Sequence, residues 1–311
     1  MRIEPEKERN KIMQKITPFL WFDDNAEEAA NYYTSVFDDS KVGSIVRYSK
    51  AAAEVSGMEE GSAMTVPFKI SGMNFVALNG GPAFKLNPSI SFFVYLKTGA
   101  EVEKLWNKLS DGGKILMALD KYPFSEKYGW LEDKFGVSWQ IMIPAGEIEQ
   151  KIFPSLMFTK NSGKAEEAIN FYTSVFNDAE PGGFFRFEEG QAPDKDSKIA
   201  YADFTLEGQK FAAMDGGHMH DFAFNEAVSF AVNCDDQKEL DHYWSKLSAV
   251  PQAELCGWLK DKFGISWQIV PTVLEEMMSK GTPGQINRAT QAFLSMKKFD
   301  IALLEKAYQG K

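Results

Sequence analysis

Three stretches of this sequence occur twice in the same order, and that duplication limits the folds open to the chain. AEEAANYYTSVF at 26–37 returns as AEEAINFYTSVF at 165–176, with ten of twelve residues identical. GWLEDKFGVSWQI at 129–141 returns as GWLKDKFGISWQI at 257–269, with eleven of thirteen identical. Between them, FVALNGG at 75–81 matches FAAMDGG at 211–217. Matches in one fixed order signify tandem duplication. The copies cover residues 14–144 and 150–271, joined through PAGEIEQ at 144–150, and residues 272–311 remain as a tail. Units of this length each suit one core. Two copies do not make an open-ended solenoid, so a pair of related modules packed together is expected.

Each copy alternates a strand pattern, a helix pattern, several strands, a second helix and closing strands, which is an α+β arrangement. Residues 16–22 and 152–158 are the first strands. Asp24 with Glu27 has capping-box spacing, and Ala26, Ala29, Ala30, Tyr33 and Phe37 then form one apolar helical stripe. Ala165, Ala168, Ile169, Tyr172 and Phe176 repeat it. Strands follow at 43–48, 63–70 and 73–78, with counterparts at 183–187, 199–206 and 209–214. Those at 90–96 and 228–234 lead into helices capped by Thr98 with Glu101 and by Asp236 with Glu239. Final strands lie at 138–143 and 266–270. The copies diverge before the last hairpin, where 111–128 in copy one faces the much shorter 249–256 in copy two. Tyr122, Phe124 and Tyr128 give copy one enough aromatic surface to close a pocket in one module only. In the tail, TVLE at 272–275 and TPGQ at 282–285 have capping spacing, and Ile286, Ala289, Phe293 and Met296 share a helical face. That face is expected to pack over a module or at a subunit interface, so a homodimer stays open.

Composition removes several function classes. Forty-four acidic against 34 basic residues give a net charge of −10, with no basic block or nucleic-acid motif, so no nucleic-acid partner is expected. The apolar runs are too short to cross a membrane, and the N-terminal MRIEPEKERNKIMQ has no apolar signal core, so a cytoplasmic protein is expected. Cys234 and Cys256 fit neither a metal knuckle nor a CxxC pair. Cys234 is expected as a buried thiol, whereas Cys256, beside Gly257 and Trp258, is a candidate reactive one.

KITPFLWF at 15–22, together with the three repeated words and the tail, resembles the PhnB-like branch of the vicinal oxygen chelate superfamily of glyoxalases, bleomycin-resistance proteins and extradiol dioxygenases. That branch is the 3-demethylubiquinone-9 3-methyltransferase-like domain family. The resemblance implies two tandem glyoxalase-like modules of βαβββ units, each sheet curling into a cleft, with a C-terminal helical tail. Enzymatic relatives hold a divalent metal with His or Gln on the first strand, His after the midpoint and Glu on the last strand. The corresponding residues here are Thr17, Ser89 and Gln140 in copy one and Phe153, Ala227 and Gln268 in copy two. Neither set supplies imidazole or carboxylate, so no metal cofactor is expected. The alternative is a divalent metal held by Asp215 and His218 of GGHMHDF.

Candidate ligand-binding residues are Asn79 and Asp215 before the Gly-Gly turns, Gln140 and Gln268 opposite Trp139 and Trp267 on the last strands, and Trp130 and Trp258. Asp133, Lys134, Asp261 and Lys262 are expected on the wet face of a hairpin. No catalytic residue is assigned. Methyl transfer lacks the strand, Gly-rich loop, helix and acidic residue of a dinucleotide-type site. The leading expectation is a protein that binds a small molecule in a mostly apolar cleft without a conventional metal centre. The alternatives are an unconventional metal-dependent lyase, isomerase or oxygenase, and a structural partner protein that uses its tail.

Overall fold

A computed structural model of the protein describes residues 14–311, which leaves the first thirteen residues of the N-terminal stretch used above to argue localisation outside the described residues. Copy one runs β1 (Ile16–Phe22), α1 (Ala26–Val36), β2 (Lys41–Val42), β3 (Val46–Arg47), α2 (Lys50–Ser56), β4 (Ala63–Ile70), β5 (Met73–Asn79), β6 (Ile90–Tyr95), α3 (Gly99–Leu109), β7 (Lys114–Tyr122), β8 (Ser125–Glu132) and β9 (Ser138–Met142). Copy two runs β10 (Ile152–Phe158), α4 (Ala165–Val175), β11 (Glu180–Arg186), β12 (Ile199–Leu206), β13 (Gln209–Asp215), β14 (Val228–Cys234), α5 (Gln237–Leu247), β15 (Trp258–Lys260) and β16 (Ser266–Pro271). The tail forms α6 (Thr272–Lys280), α7 (Pro283–Leu294) and α8 (Ile301–Gln309). Among the described residues no helix is long and apolar enough to cross a membrane.

These strands make two mixed eight-stranded sheets, and each sheet draws strands from both copies: five from copy one and three from copy two in sheet A, four from each in sheet B. Sheet A has the order β15-β16-β14-β1-β5-β4-β2, with β3 also on β4, and sheet B the order β11-β12-β13-β10-β6-β9-β8-β7. The seams are antiparallel. In sheet A, Thr17 lies opposite Ala231 and Phe19 opposite Ser229. In sheet B, Phe153 lies opposite Phe93 and Ser155 opposite Ser91. Sheet A therefore joins the first half of copy one to the second half of copy two, and sheet B joins the remaining halves.

The helices cover one face of each sheet, and alternation along the strands puts Leu20, Phe75, Phe230 and Trp267 into the large core beneath them. At the starts of α1 and α4 the capping acceptor comes from a distant strand and not from a local residue. Asp24 does not cap α1; instead the Asn79 side-chain carbonyl on β5 accepts from the Ala26 N–H at 2.8 Å. Asp215 plays this part for α4, accepting from Gly163 and Ala165 N–H with Oδ1 and from Lys198 and Ile199 N–H with Oδ2. The Thr98–Glu101 and Thr282–Gln285 capping boxes form, whereas α6 has no side-chain cap from Thr272 to Glu275. Helix α2, capped by Ser49, and strand β7 arise in segments that the sequence pattern left unassigned.

Asp133 and Asp261 correct the reading of GWLxDKFG as a hairpin with a wet acidic face, because both are buried. Asp133 accepts from the Tyr33 hydroxyl, Trp139 Nε1 and the N–H groups of Phe135 and Val137. Asp261 accepts from Tyr172, Trp267, Phe263 and Ile265 in the same way. Four donors on one carboxylate make such burial tolerable. Each bond to tyrosine also fastens a helix on one sheet to a turn of the other sheet, since α1 packs on β4 and β5 while Asp133 lies between β8 and β9.

The tail packs on sheet A. Cys256 and Gly257 N–H donate to the Met296 and Lys297 carbonyls at 2.8 and 2.7 Å, beside β15. Helix α7 also packs on α2, which follows β3 at the opposite edge. The tail thus spans from one edge of sheet A to the other. Phe299 fills the space left by Gly257, whose φ is +82° and where a Cβ would lie 2.4 Å from the Phe299 ring. Only glycine suits both conditions.

Candidate functional site

The residues that alternate with the core ones point to the face without helices, and there the two sheets curl into troughs. In sheet B the rings of Phe93 on β6 and Tyr201 on β12 have centroids 5.9 Å apart. Their strands are three places apart, about 14 Å in a flat sheet, so the sheet bends toward this face. In sheet A, Trp21 on β1 and Trp258 on β15 meet at 6.2 Å across the same number of strands.

One glutamine sits on the floor of each trough. The Gln140 amide donates to Ser91 Oγ at 2.7 Å, and the Gln268 amide donates to Ser229 Oγ at 2.9 Å. Both pairs run across the parallel ladder between a copy's sixth-strand equivalent and its last strand, β6–β9 and β14–β16. Alternation puts Gln140 and Gln268 there because Trp139 and Trp267 occupy the helix side. The serines of this polar pair are Ser91 and Ser229, two residues beyond Ser89 and Ala227. The exchange of halves regroups the remaining positions as well: Thr17 lies in line with Ala231 and Gln268, and Phe153 with Phe93 and Gln140.

The two troughs have different contents. Trough B is filled by its own side chains: Phe93, Phe153, Tyr128, Trp130, Met142 and Met157 form a second hydrophobic cluster, with Phe93 and Phe153 stacked at 5.3 Å. The Tyr128 hydroxyl donates to Gln140 Oε1 at 2.7 Å, and Trp130 Nε1 donates to Ser138 Oγ at 2.8 Å. Gln140 is thereby satisfied at both ends, while Ser155 Oγ is buried without a partner in the adjoining row. Burial pushes the Tyr128 hydroxyl well above its ordinary range, so it remains a donor.

Trough A carries smaller groups at the matching positions. Ala231 stands for Phe93, Thr17 for Phe153, Thr65 for Tyr201 and Asn233 for Tyr95. The residue matching Tyr128 is Cys256, which lies in a tight turn with φ +51° and directs its thiol to the Phe293 carbonyl. Among the described residues Gln268 Oε1 accepts no hydrogen bond, and Ser266 Oγ, the counterpart of Ser138, is buried without a partner. Trp258 instead packs edge-on to Trp21, which packs on Phe84 at 5.0 Å. Phe19, Trp21, Val76, Leu78 and Trp258 are only half-buried. Trough A thus has half-buried apolar walls over a floor of Thr17, Ser229, Ala231, Ser266 and Gln268 that is itself buried.

The other sequence candidates fall elsewhere. Asn79 and Asp215 lie on the helix side of their sheets and are engaged with backbone groups. His218 does not join Asp215. Its Nε2 lies 3.4 Å from Asp196 and 3.7 Å from Asp194 in an exposed loop. Burial opposes ionisation of Asp194, but hydrogen bonds from Ser197, His218 and Asp196 bring its carboxyl down to about 2. These contacts order the loop. His242 on α5 lies 2.9 Å from the Val175 carbonyl. Burial raises the Cys256 thiol, opposite to what a reactive thiolate needs. A metal of the glyoxalase type would have only hydroxyl and amide oxygens in either trough, and that neutral set does not fit a tightly held divalent ion. Two surface grooves, of about 640 Å³ beside Tyr122 and Phe124 and about 260 Å³ between α6 and α8, lie away from the glutamines.

A family model described as 3-demethylubiquinone-9 3-methyltransferase matches residues 14–142 and again 150–270. Among solved structures, a PhnB protein from Bacillus cereus is 42% identical over 42% of this chain and 99% of its own, with a TM-score of 0.38. A Staphylococcus aureus protein is 35% identical over 42% of this chain and 97% of its own, with a TM-score of 0.18. A glyoxalase I mutant from Zea mays covers 83% of this chain and 95% of its own at 11% identity, with a TM-score of 0.51, which shows likeness of fold alone. No curated protein matches the chain.

Proposed function

We propose that this chain, which belongs to the 3-demethylubiquinone-9 3-methyltransferase family, the PhnB-like branch of the vicinal oxygen chelate superfamily, binds a small, mostly apolar molecule in an inner trough without a metal centre. The observation that carries this reading is the glutamine–serine pair beside aromatic side chains, repeated in both sheets, with each glutamine where relatives of this fold would place a metal ligand. An amide and a hydroxyl orient a neutral ligand by hydrogen bonds, and the surrounding rings supply contact area. The methyl transfer in the family's description receives no support from the residues. The loop between β1 and α1 is Asp23-Asp24-Asn25, without the glycine-rich turn that lets a nucleoside cofactor approach a strand end and helix start.

Elemental analysis of protein purified without added metal, with a chelator-treated control, tests the metal half of the reading. Well under one equivalent of Mn, Fe, Ni or Zn per chain is expected. Near-stoichiometric metal would overturn it and direct mutation to Asp194, Asp196 and His218. Thermal-shift screening of small apolar compounds tests the other half, and the expected result is stabilisation by at least one compound without turnover.

A further inference from the structure

Thr17, Ala231 and Gln268 on the floor of trough A are buried, although the rings that cover the matching floor in trough B have no counterparts there. Ala231, Thr17 and Cys256 hold the places of Phe93, Phe153 and Tyr128. The Trp21–Trp258 pair shields one end. The helix side of sheet A is already taken, by α1 on β4 and β5 and by α5 on β14, β15 and β16. Helix α7 is held at opposite margins of this sheet. At one margin Cys256 Sγ is directed to the Phe293 carbonyl at 3.5 Å; its counterpart Tyr128 points into trough B, so this contact lies on the trough side of β15. At the other margin α7 packs on α2. Met58, just beyond α2, lies beside Gly81, whose carbonyl accepts from Nε1 of the trough residue Trp21 at 2.8 Å. The strand order puts β15 and β4 about 24 Å apart in a flat sheet and closer in a curled one. The 12 residues of α7 span about 18 Å.

Resting on the small-molecule reading above, we infer that α7 lies across the mouth of trough A and occludes it, so that the tail helix and the ligand compete for one floor. The cover fits imperfectly: Thr290 Oγ1 on α7 and Ser266 Oγ on the floor are both buried without a partner among the described residues. Buried polar atoms are nearly always satisfied, so the closed state carries a cost that opening to water or to a ligand relieves. Phe299 in the space beside Gly257, with the bonds from Cys256 and Gly257 N–H, holds the tail to the β15 edge. Trough B has no such switch, because its cover consists of side chains on its own strands. The apparent affinity of trough A is then its intrinsic affinity scaled by the fraction of chains whose tail is lifted.

The test uses the full chain and anilinonaphthalene sulfonate, a fluorescent probe of accessible apolar surface. The Cys256 N–H donates to the Met296 carbonyl at 2.8 Å, which brings these two residues within reach of a disulfide. Met296→Cys therefore lets the tail be locked by oxidation and released by reduction, and thiol titration confirms each state. The oxidised form is expected to bind the probe about tenfold more weakly than its reduced form, and Phe299→Ala about tenfold more tightly than the unmodified chain. Adding Ala231→Phe, which puts on this floor the ring that Phe93 puts on the other, should cancel the gain from Phe299→Ala. Its melting curve shows whether it folds, and Thr17→Phe replaces it if it does not. Equal binding by the oxidised and reduced forms, or binding by neither, overturns the inference. A gain that survives the added ring overturns it too, because the probe then sits elsewhere. Each of these results leaves the small-molecule reading standing where thermal-shift screening finds a stabilising compound. Stabilisation of neither the unmodified chain nor Phe299→Ala by any compound defeats that broader reading instead.

Discussion

Replacing Asp261 by asparagine changes one atom in a fully engaged buried site, and its cost can be worked out bond by bond. The Asn side-chain oxygen can retain the Phe263 and Ile265 N–H groups, which Oδ1 now accepts at 2.8 and 3.0 Å. Its amide nitrogen then faces Tyr172 at 2.7 Å and Trp267 Nε1 at 2.8 Å. The tyrosine hydroxyl can turn its proton and accept, but an indole N–H can only donate, so one buried donor is orphaned. An orphaned donor costs about 1–3 kcal/mol, and losing the charge on the acceptor weakens the tyrosine bond further. Against this, burial already raises the Asp261 carboxyl above its ordinary value, so removing the charge recovers part of the loss. The net expectation for Asp261→Asn is about 2–3 kcal/mol of destabilisation. Urea denaturation followed by circular dichroism measures it, because tryptophan emission would itself change with the mutation. Adding Trp267→Phe removes the orphaned donor, so the double variant should lose about 1–2 kcal/mol less than the sum of the singles. Asp133→Asn, with Tyr33 and Trp139 in the same roles, provides an independent repeat in the other sheet. A loss under about 0.5 kcal/mol in both single variants, or strict additivity with the tryptophan change, would refute the assignment of these aspartates as hubs.

Alkaline pH should also unfold the protein through its buried tyrosines. Burial, with Asp133 and Asp261 beside them, raises Tyr33 and Tyr172 well above 10.0 in the fold. The unfolded chain ionises these groups near 10 while the fold keeps them neutral, so their contribution is complete below pH 10 and is lost as pH rises beyond it. A spectrophotometric titration should show both groups silent until the circular dichroism signal collapses; early, reversible ionisation of all ten tyrosines in folded protein would contradict this. Phe299→Ala should cost about 3–5 kcal/mol and loosen the tail from sheet A. Its second readout is the thiol reagent DTNB: Cys256, held against the 293–297 segment, should react faster, while Cys234 stays unreactive in its buried site. Unchanged Cys256 reactivity would mean that the tail does not protect it.

Much of this protein could be seen in the residues alone. The repeated words gave the duplication, the stripe through Ala26, Ala30, Tyr33 and Phe37 gave the buried face of α1, and alternation around Trp139 and Trp267 put Gln140 and Gln268 on the face away from the core. These are local periodicities, fixed by 3.6 residues per helical turn and two per strand repeat, so they do not depend on the partner. The caps of α1 and α4 were not visible in this way, because Asn79 and Asp215 act from strands far along the chain and displace the local candidate Asp24. Asp133 and Asp261 looked like surface charges because hydropathy does not register that four donors converge on them.

The deepest undetermined choice was which half pairs with which. β1 and β10 have nearly the same pattern, as do β6 and β14, so seams within a copy and between copies satisfy the sequence equally. Only the tertiary structure joins β1 to β14 and β10 to β6, and with that choice it decides which side chains share a trough. The sequence by itself determined that there are two related modules, with one glutamine on the inner face of each last strand. Tertiary pairing brought Phe153 to Phe93 in one trough and Thr17 to Ala231 in the other, so one floor carries stacked rings and the other small groups, because the lining of a trough is set by residues that meet across a seam and not by neighbours along the chain.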